Sequence, residues 1–439
     1  MIGFKIIHRQ LLVVFTVLCM VTLPFSIKWS SISIILLTAN WLIEGNLNKK
    51  WQIVKQNKLV WILSGFYILY VVGMLITEDT SSGLYDLEKK LSLFVFPAVL
   101  GTSERLSSKE IKVIFSGFVI ACLIAIIVSL IFIIFSAHNV SDPEHLNFDY
   151  LNKDKFRDSF SGPSEMWNLI SYVGLGSFLA IHPTYFSLYI GFAVVLLIHL
   201  FRNNFQCQGF FIKSSVIISL LILITALVFL SSRVVIVSFS TLCIVLLGSF
   251  FIRKQKYLRG ALCLCAFLSI ILLLIYINPV THFRVIQEPL NTGLKYPAPN
   301  DHWNSWNLRL LQWESSLKII KSQWLTGVGT GDAQKYLNQE YDKIGLGIFQ
   351  SEFNAHNQYL QTTLDLGVFG FLWLILSFFY PVFKSLNHQK TLFLSFIFLF
   401  GMCCLSESML EVQKGVVFYS LFNSLLVFHV LHPKPENYA

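Results

Sequence analysis

The chain has 439 residues, 55% of them hydrophobic and 13% charged, with a formal net charge of +9, whereas soluble domains carry about a quarter charged residues. That balance excludes an ordinary soluble enzyme and sets most of the surface against lipid. The positive excess falls in short loops between apolar runs, which is a membrane-topology pattern and not a nucleic-acid-binding one.

The first apolar run follows Lys5 and Arg9 in the manner of a secretory signal. Ser26, Ile27, Lys28 and Trp29 offer no small-x-small cleavage site, so the run is expected to stay as a first span. Runs suited to roughly 30 Å of hydrocarbon lie at Arg9–Phe25, Trp29–Ile43, Leu59–Thr77, Leu91–Gly101, Val113–Ser136 and Pro183–Phe201. They continue at Ser214–Leu230, Val234–Ile252, Ala261–Asn278, Leu364–Phe383, Thr391–Ser406 and Gly415–Leu431. The expectation is an all-α, polytopic transmembrane bundle of about twelve spans.

Basic residues cluster in alternate connections: Lys49, Lys50, Lys55 and Lys58; Arg105, Lys109 and Lys112; Arg202 and Lys213; Arg253, Lys254, Lys256 and Arg259; Lys384 and Lys390. The positive-inside bias assigns these, and both chain ends, to the cytoplasm. Two long connections then fall outside, Ala137–His182 and Pro279–Thr363. The sequence thus divides into an N-terminal bundle (1–278, with the smaller outer loop 137–182), a large outer loop (279–363), and C-terminal helices with a short tail (364–439). All eight cysteines lie in spans or a cytoplasmic loop, which argues against a disulfide framework or a thiolate zinc site.

Within the large loop, Trp306, Leu310, Trp313, Leu317, Ile320 and Trp324 recur at steps of four and three, one stripe of a helix. A Trp-rich stripe suits a helix at the membrane interface or over the mouth of the bundle, and Arg309 sits at its margin. Next comes Gly327-Val328-Gly329-Thr330-Gly331-Asp332. No strand precedes it, and neither the dinucleotide nor the P-loop spacing is met. Two readings stand: a helix stop with a tight turn, or amides of Gly329 and Gly331 approaching an anionic ligand.

Asn354 is expected to cap the helix that follows. His356 would then lie in its first turn, where the helix dipole favours neutral imidazole, able to accept a proton; a purely structural histidine is the alternative. Arg233 stands between two apolar runs with no room for a loop, either partnered in a cavity or anchoring by snorkelling. Glu407, near the outer end of a span, either pairs with an arginine, binds a hydroxyl, or is solvated there. His182 precedes Pro183 at the start of a span, as at an ordinary helix N-terminus. Arg233, Arg309 and His356 come from three segments that all map to the outer face. Two guanidiniums suit phosphate oxygens, and a histidine suits proton transfer.

Several stretches resemble the signature region of the bacterial O-antigen ligase and polymerase superfamily. They are Asn307-Leu308-Arg309-Leu310-Leu311-Gln312-Trp313, the Leu325 to Gly331 turn, and Ala355-His356-Asn357-Gln358-Tyr359-Leu360 followed by Leu366-Gly367-Val368-Phe369-Gly370. Ser232-Arg233 and the Glu407 to Gly415 stretch are similar as well. The resemblance implies transfer of a glycan from undecaprenyl pyrophosphate to a hydroxyl of lipid A–core, of another glycan or of a protein, at the periplasmic face of the inner membrane. It implies a metal-independent, inverting reaction without cofactor, in which Arg309 falls on the pyrophosphate-contacting arginine, Arg233 on the membrane-edge arginine, carried as substrate-binding, and His356 on the essential histidine. Gly329, Gly331 and Asn357 are carried as further substrate-binding positions, with His182 and Glu407 second in rank. A transporter or flippase is the competing class; it would need broken helices or polar groups at mid-membrane and repeated halves.

Overall fold

The computed structural model describes residues 2–139, 165–202, 207–292, 305–344, 353–384 and 390–431. Lipid offers no partner to a backbone amide, so apolar runs fold as helices that satisfy themselves. The first seven are α1 (Ile2–Thr22), α2 (Ile27–Ile43), α3 (Leu47–Gln56), α4 (Lys58–Gly73), α5 (Thr80–Lys90), α6 (Ser92–Thr102) and α7 (Ser108–Asn139). Then come α8 (Glu165–Leu169), α9 (Tyr172–Ser177), α10 (Pro183–Phe201), α11 (Phe210–Phe229), α12 (Arg233–Arg253) and α13 (Tyr257–Ile277). A short α14 (Pro279–His282), a π-helical turn (Phe283–Gln287) and α15 (Glu288–Thr292) follow. The last five are α16 (Ser305–Gln323), α17 (Ala333–Lys343), α18 (Gln358–Lys384), α19 (Lys390–Cys403) and α20 (Gln413–Leu425), the last continued by a π-helical stretch to Leu431.

Among the described residues nine helices are long and apolar enough to cross a membrane, and α2 and α19 are shorter apolar helices. The span expected at Leu91–Gly101 is instead α6, an 11-residue helix with Pro97 inside it. At 1.5 Å per residue it is about 16 Å long, roughly half of what a crossing needs.

Contacts group the chain into two compact units, one of Met1–Cys19, Ile27–Ile114 and Leu294–Ala439, the other of Met20–Ser26 and Phe115–Gly293. These units cut across the sequence division at 278 and 363: residues 1–19 and 27–114 group with the large loop from 294 onward and with the C-terminal helices, while 279–293 group with the second unit. In the second unit α10 forms the centre, with 78% of its span buried, and packs on α11. In the first unit the span beginning with α20 is wholly buried. α20 packs on α6, and α4 packs on both α6 and α18. Aromatic rings fill the space between, with Phe400 and Tyr419 stacked at 4.8 Å.

α16 carries the expected Trp stripe, but it lies on α18 through the opposite face. Asn307, Leu311, Gln312, Ser315, Ser316 and Ile319 are buried, while Trp306, Leu317 and Trp324 are 37%, 54% and 58% exposed. The stripe therefore does not cover the interior of its unit. The reason is that small residues let helices approach closely, and lipid gives no hydrophobic reward for turning a greasy stripe inward.

α18 is broken at Gly367, whose φ of 63° and ψ of −160° are essentially open to glycine alone. In an unbroken helix the amide of Val368 would donate to Leu364 O. Here it donates to Trp324 O at 2.9 Å, and Leu364 O accepts from Val328 N at 2.8 Å. Gly329 N donates to Asp365 O at 3.1 Å. The glycine turn after α16 thus supplies and receives what the broken helix lacks. Its far side is tied to the end of α4 and the start of α5. Thr330 Oγ1 donates to Tyr70 O at 2.6 Å, and the Asp332 carboxylate accepts from the amides of Glu78 and Asp79 at 2.7 and 2.9 Å.

A Cβ at Gly367 would stand 2.2 Å from Leu325 O, whereas one at Gly248 would meet nothing within 4 Å. Gly367→Ala is therefore expected to destabilise the protein by on the order of 3 kcal/mol. Gly248→Ala should change stability by less than about 0.5 kcal/mol. Thermal unfolding in detergent separates the two; equal melting would contradict the interlock.

Candidate catalytic site

The site is built at the head of α18. Asn357 Oδ1 accepts from the amides of Tyr359 and Leu360 at 3.0 and 3.2 Å, and its Nδ2 donates to Leu405 O at 3.1 Å. The cap is therefore Asn357 and not Asn354. Asn354 Oδ1 accepts from His356 N at 2.9 Å, closing a turn one step earlier. His356 thus lies before the helix and not in its first turn, at φ 42°, in a left-handed region that histidine enters more readily than most residues. Gln358 adds two ties: its amide donates to Cys404 O at 2.8 Å, and its Oε1 accepts from Leu410 N at 2.6 Å. The link between α19 and α20 is stapled along its length to the start of α18.

Arg309 and His356 both end on consecutive residues of that link. Arg309 Nε donates to Ser406 O at 3.0 Å and Nη1 to Ser305 O at 3.1 Å. His356 Nδ1 lies 3.3 Å from Glu407 Oε1, within ion-pair range but not aligned as a hydrogen bond; the His356 side chain is 24% exposed and that of Glu407 9%. Among the described residues the Nη2 of Arg309 has no protein partner. A guanidinium anchored on one side keeps N–H donors for an oxyanion. An imidazole with a carboxylate at one nitrogen can be held with the other nitrogen ready to take a proton. Glu407, second in rank by sequence, is thus central to the geometry.

Two further features were not visible in the sequence. Gln312, one turn from Arg309, is 1% exposed, and among the described residues neither polar atom of its side-chain amide has a partner, a rare state for a buried polar group. Lys90 is fully buried, with Nζ 2.7 Å from Glu411 Oε2 and 4.8 Å above the Tyr70 ring. Burial works against its charge, but Glu411, Asp86 and Asp365 outweigh that effect and hold the ammonium above the ordinary lysine range. The charged pair ties the far end of the 404–411 link to α5.

The other sequence candidates fall as follows. The amide of Gly329 is already donated to Asp365 O, and a Cβ at Gly331 would lie 2.4 Å from Gly83 N. The Gly329 amide, which an anion-binding reading needs, is therefore in use, and Gly331 is a glycine because it packs against the backbone of Asp79 and Gly83. Asn357 is likewise occupied at both ends of its side-chain amide. His182 caps α10, its Nδ1 accepting from Thr184 N at 3.4 Å, with its ring edge-on to Tyr185. Arg233 opens α12 and is paired with Glu288, their side chains 15% and 12% exposed, so it is a partnered charge and not a snorkelling anchor. Arg309, His356, Glu407 and Asn357 come together in one unit; Arg233 and His182 belong to the other.

Residues 218–375, which contain Arg233, Arg309 and His356, match the family model described as O-Antigen ligase. With the apolar spans, that match supports a multi-pass membrane glycosyltransferase of the O-antigen ligase and polymerase type. No curated protein matches the chain.

If Asn357 serves the helix and not a ligand, Asn357→Ala should cost about 1–2 kcal/mol in stability. Asn357→Asp, which keeps the capping oxygen, should cost less. Thermal unfolding of the purified variants measures this, and an unchanged melting temperature for Asn357→Ala would return the residue to the ligand side.

Proposed function

We propose that this chain, whose residues 218–375 match the O-antigen ligase family model, transfers a glycan from undecaprenyl pyrophosphate to an acceptor hydroxyl at the periplasmic face of the inner membrane. The acceptor best matched by the resemblance is lipid A–core. The observation that carries the reading is the meeting of Arg309 and His356 on Ser406 and Glu407, a cation and a base fixed by one short link. In a single displacement the acceptor oxygen bonds to the anomeric carbon as the bond to the pyrophosphate oxygen breaks, and the configuration inverts. The hydroxyl proton passes to the free nitrogen of His356, with Glu407 steadying the imidazolium. Charge gathering on the leaving pyrophosphate is met by the guanidinium of Arg309. A pyrophosphate departs without a general acid, and this reading assigns the stabilisation of its charge to a guanidinium. Removing a preorganised donor of this kind costs on the order of 10²–10³ in rate, and removing the base about 10²–10⁴.

The test is the surface polysaccharide of a deletion strain complemented with wild type, Arg309→Ala, His356→Ala or Glu407→Gln at matched membrane levels. Ligation predicts loss of long glycan from lipid A–core, with full-length lipid-linked chains accumulating, in the deletion and in both alanine variants. Glu407→Gln should retain reduced transfer. Single-repeat chains would mark a polymerase, and loss of glycan from protein alone a protein O-oligosaccharyltransferase. Normal transfer by either alanine variant would overturn the site.

A further inference from the structure

The second unit holds a buried polar chain whose links run between distant segments. Asn278 Nδ2 donates to Ser171 Oγ at 2.8 Å, and Asn278 Oδ1 accepts from Thr281 N at 3.1 Å. The hydroxyls of Thr281 and Ser231 lie 2.8 Å apart. Ser171, Asn278, Thr281 and Ser231 are each no more than 1% exposed. Each segment then presents a larger group beside its link: Tyr172 after Ser171, Arg233 two residues after Ser231, and Arg284 three after Thr281. Tyr172 and Ser231 hold positive φ angles of 46° and 53°. Arg284 lies in the π-helical turn Phe283–Gln287. Backbone strain and π turns both concentrate where a side chain must be aimed.

Arg284 stacks on Tyr172, its guanidinium carbon 3.5 Å from the ring centroid. Its Nε is buried and, among the described residues, has no hydrogen-bond partner. Stacking covers the face of the guanidinium and leaves its donor edge for a ligand. Glu288 lies one turn beyond Arg284 and is paired with Arg233, so the segment that carries Arg284 also carries the carboxylate that meets Arg233.

We propose that Arg284 is a second anion-binding guanidinium beside Arg233, and that Glu288 is a resident counter-ion which an incoming pyrophosphate or phosphate group displaces from Arg233. The anion site stands on these contacts alone; its identity as the pyrophosphate of a lipid-linked donor rests on the proposed function. The resident carboxylate keeps Arg233 desolvated and aimed while no anion is bound, and it weakens binding by competition.

The test measures binding of inorganic pyrophosphate and of farnesyl pyrophosphate to the purified full-length protein in nanodiscs, for wild type, Arg284→Gln, Arg284→Lys and Glu288→Gln. Arg284→Gln should weaken binding by about ten- to a hundredfold, the worth of charge-assisted hydrogen bonds. Arg284→Lys, which keeps charge but not the planar fork, should fall between. Glu288→Gln should tighten binding by about tenfold, as a competing charge pair is lost. Preference for farnesyl pyrophosphate over free pyrophosphate supports a lipid-linked ligand; equal binding supports an anion site reading the headgroup alone. Wild-type affinity in Arg284→Gln, or no tightening in Glu288→Gln, would overturn the proposal, and the second variant decides if the first does not fold. Anion binding that follows these changes in a protein without glycan transfer would sink the transferase reading and leave this site standing. Full transfer and full binding by Arg284→Gln would do the reverse.

Discussion

A helix interrupted within an apolar span must find its hydrogen bonds inside the protein, and the first unit is arranged around one such interruption. At Gly367 the α18 ladder opens, and the turn after α16 closes it again through Trp324, Val328 and Gly329. That exchange fixes α16 against α18, and so fixes Arg309 relative to the residues that precede α18. The turn also holds the α4 to α5 connection through Thr330 and Asp332. No part of this needs a ligand. The glycines that resemble an anion loop are there because backbone meets backbone at distances no side chain would allow.

On that frame, the 404–411 link does the chemical positioning. Five protein groups hold it: Asn357, Gln358 through its amide and its side chain, Arg309 and Lys90. Breaking a buried charge pair by removing one partner costs about 3–5 kcal/mol, so the Lys90–Glu411 pair is a stiff anchor for a segment that carries Glu407. His356 sits in a strained conformation that its neighbours impose. Strain of this sort persists where the surroundings over-determine it and is common at catalytic positions.

Much of the fold was legible in the sequence because length and apolarity of a run decide whether it spans lipid. Leu91–Gly101 misled because its composition suits lipid while its length does not. The Trp stripe of α16 was legible as a stripe, but the face that packs is the one that carries the small, buried Ser315 and Ser316, and no periodicity reports that. Asn354 and Asn357 are equally good caps locally; the carbonyl of Leu405, 48 residues away, selects the second. Arg309, His356 and Arg233 were legible as chemistry, through residue type and family likeness. Glu407 was legible only as a second-rank candidate, and Glu411 and Glu288 not at all, since each acquires meaning from a partner 51, 321 or 55 residues distant, a separation that sequence spacing does not encode.

The central claim is that Arg309 and His356, fixed on one link, make a glycosidic bond. The most direct measurement reconstitutes the purified protein in vesicles with a lipid-pyrophosphate-linked oligosaccharide and a candidate acceptor, and follows both products by mass spectrometry. The account predicts that glycosylated acceptor and free lipid pyrophosphate appear in equal amounts, and that neither appears with His356→Ala. Movement of the lipid-linked glycan across the vesicle with no new glycosidic bond, for every acceptor offered, would contradict it.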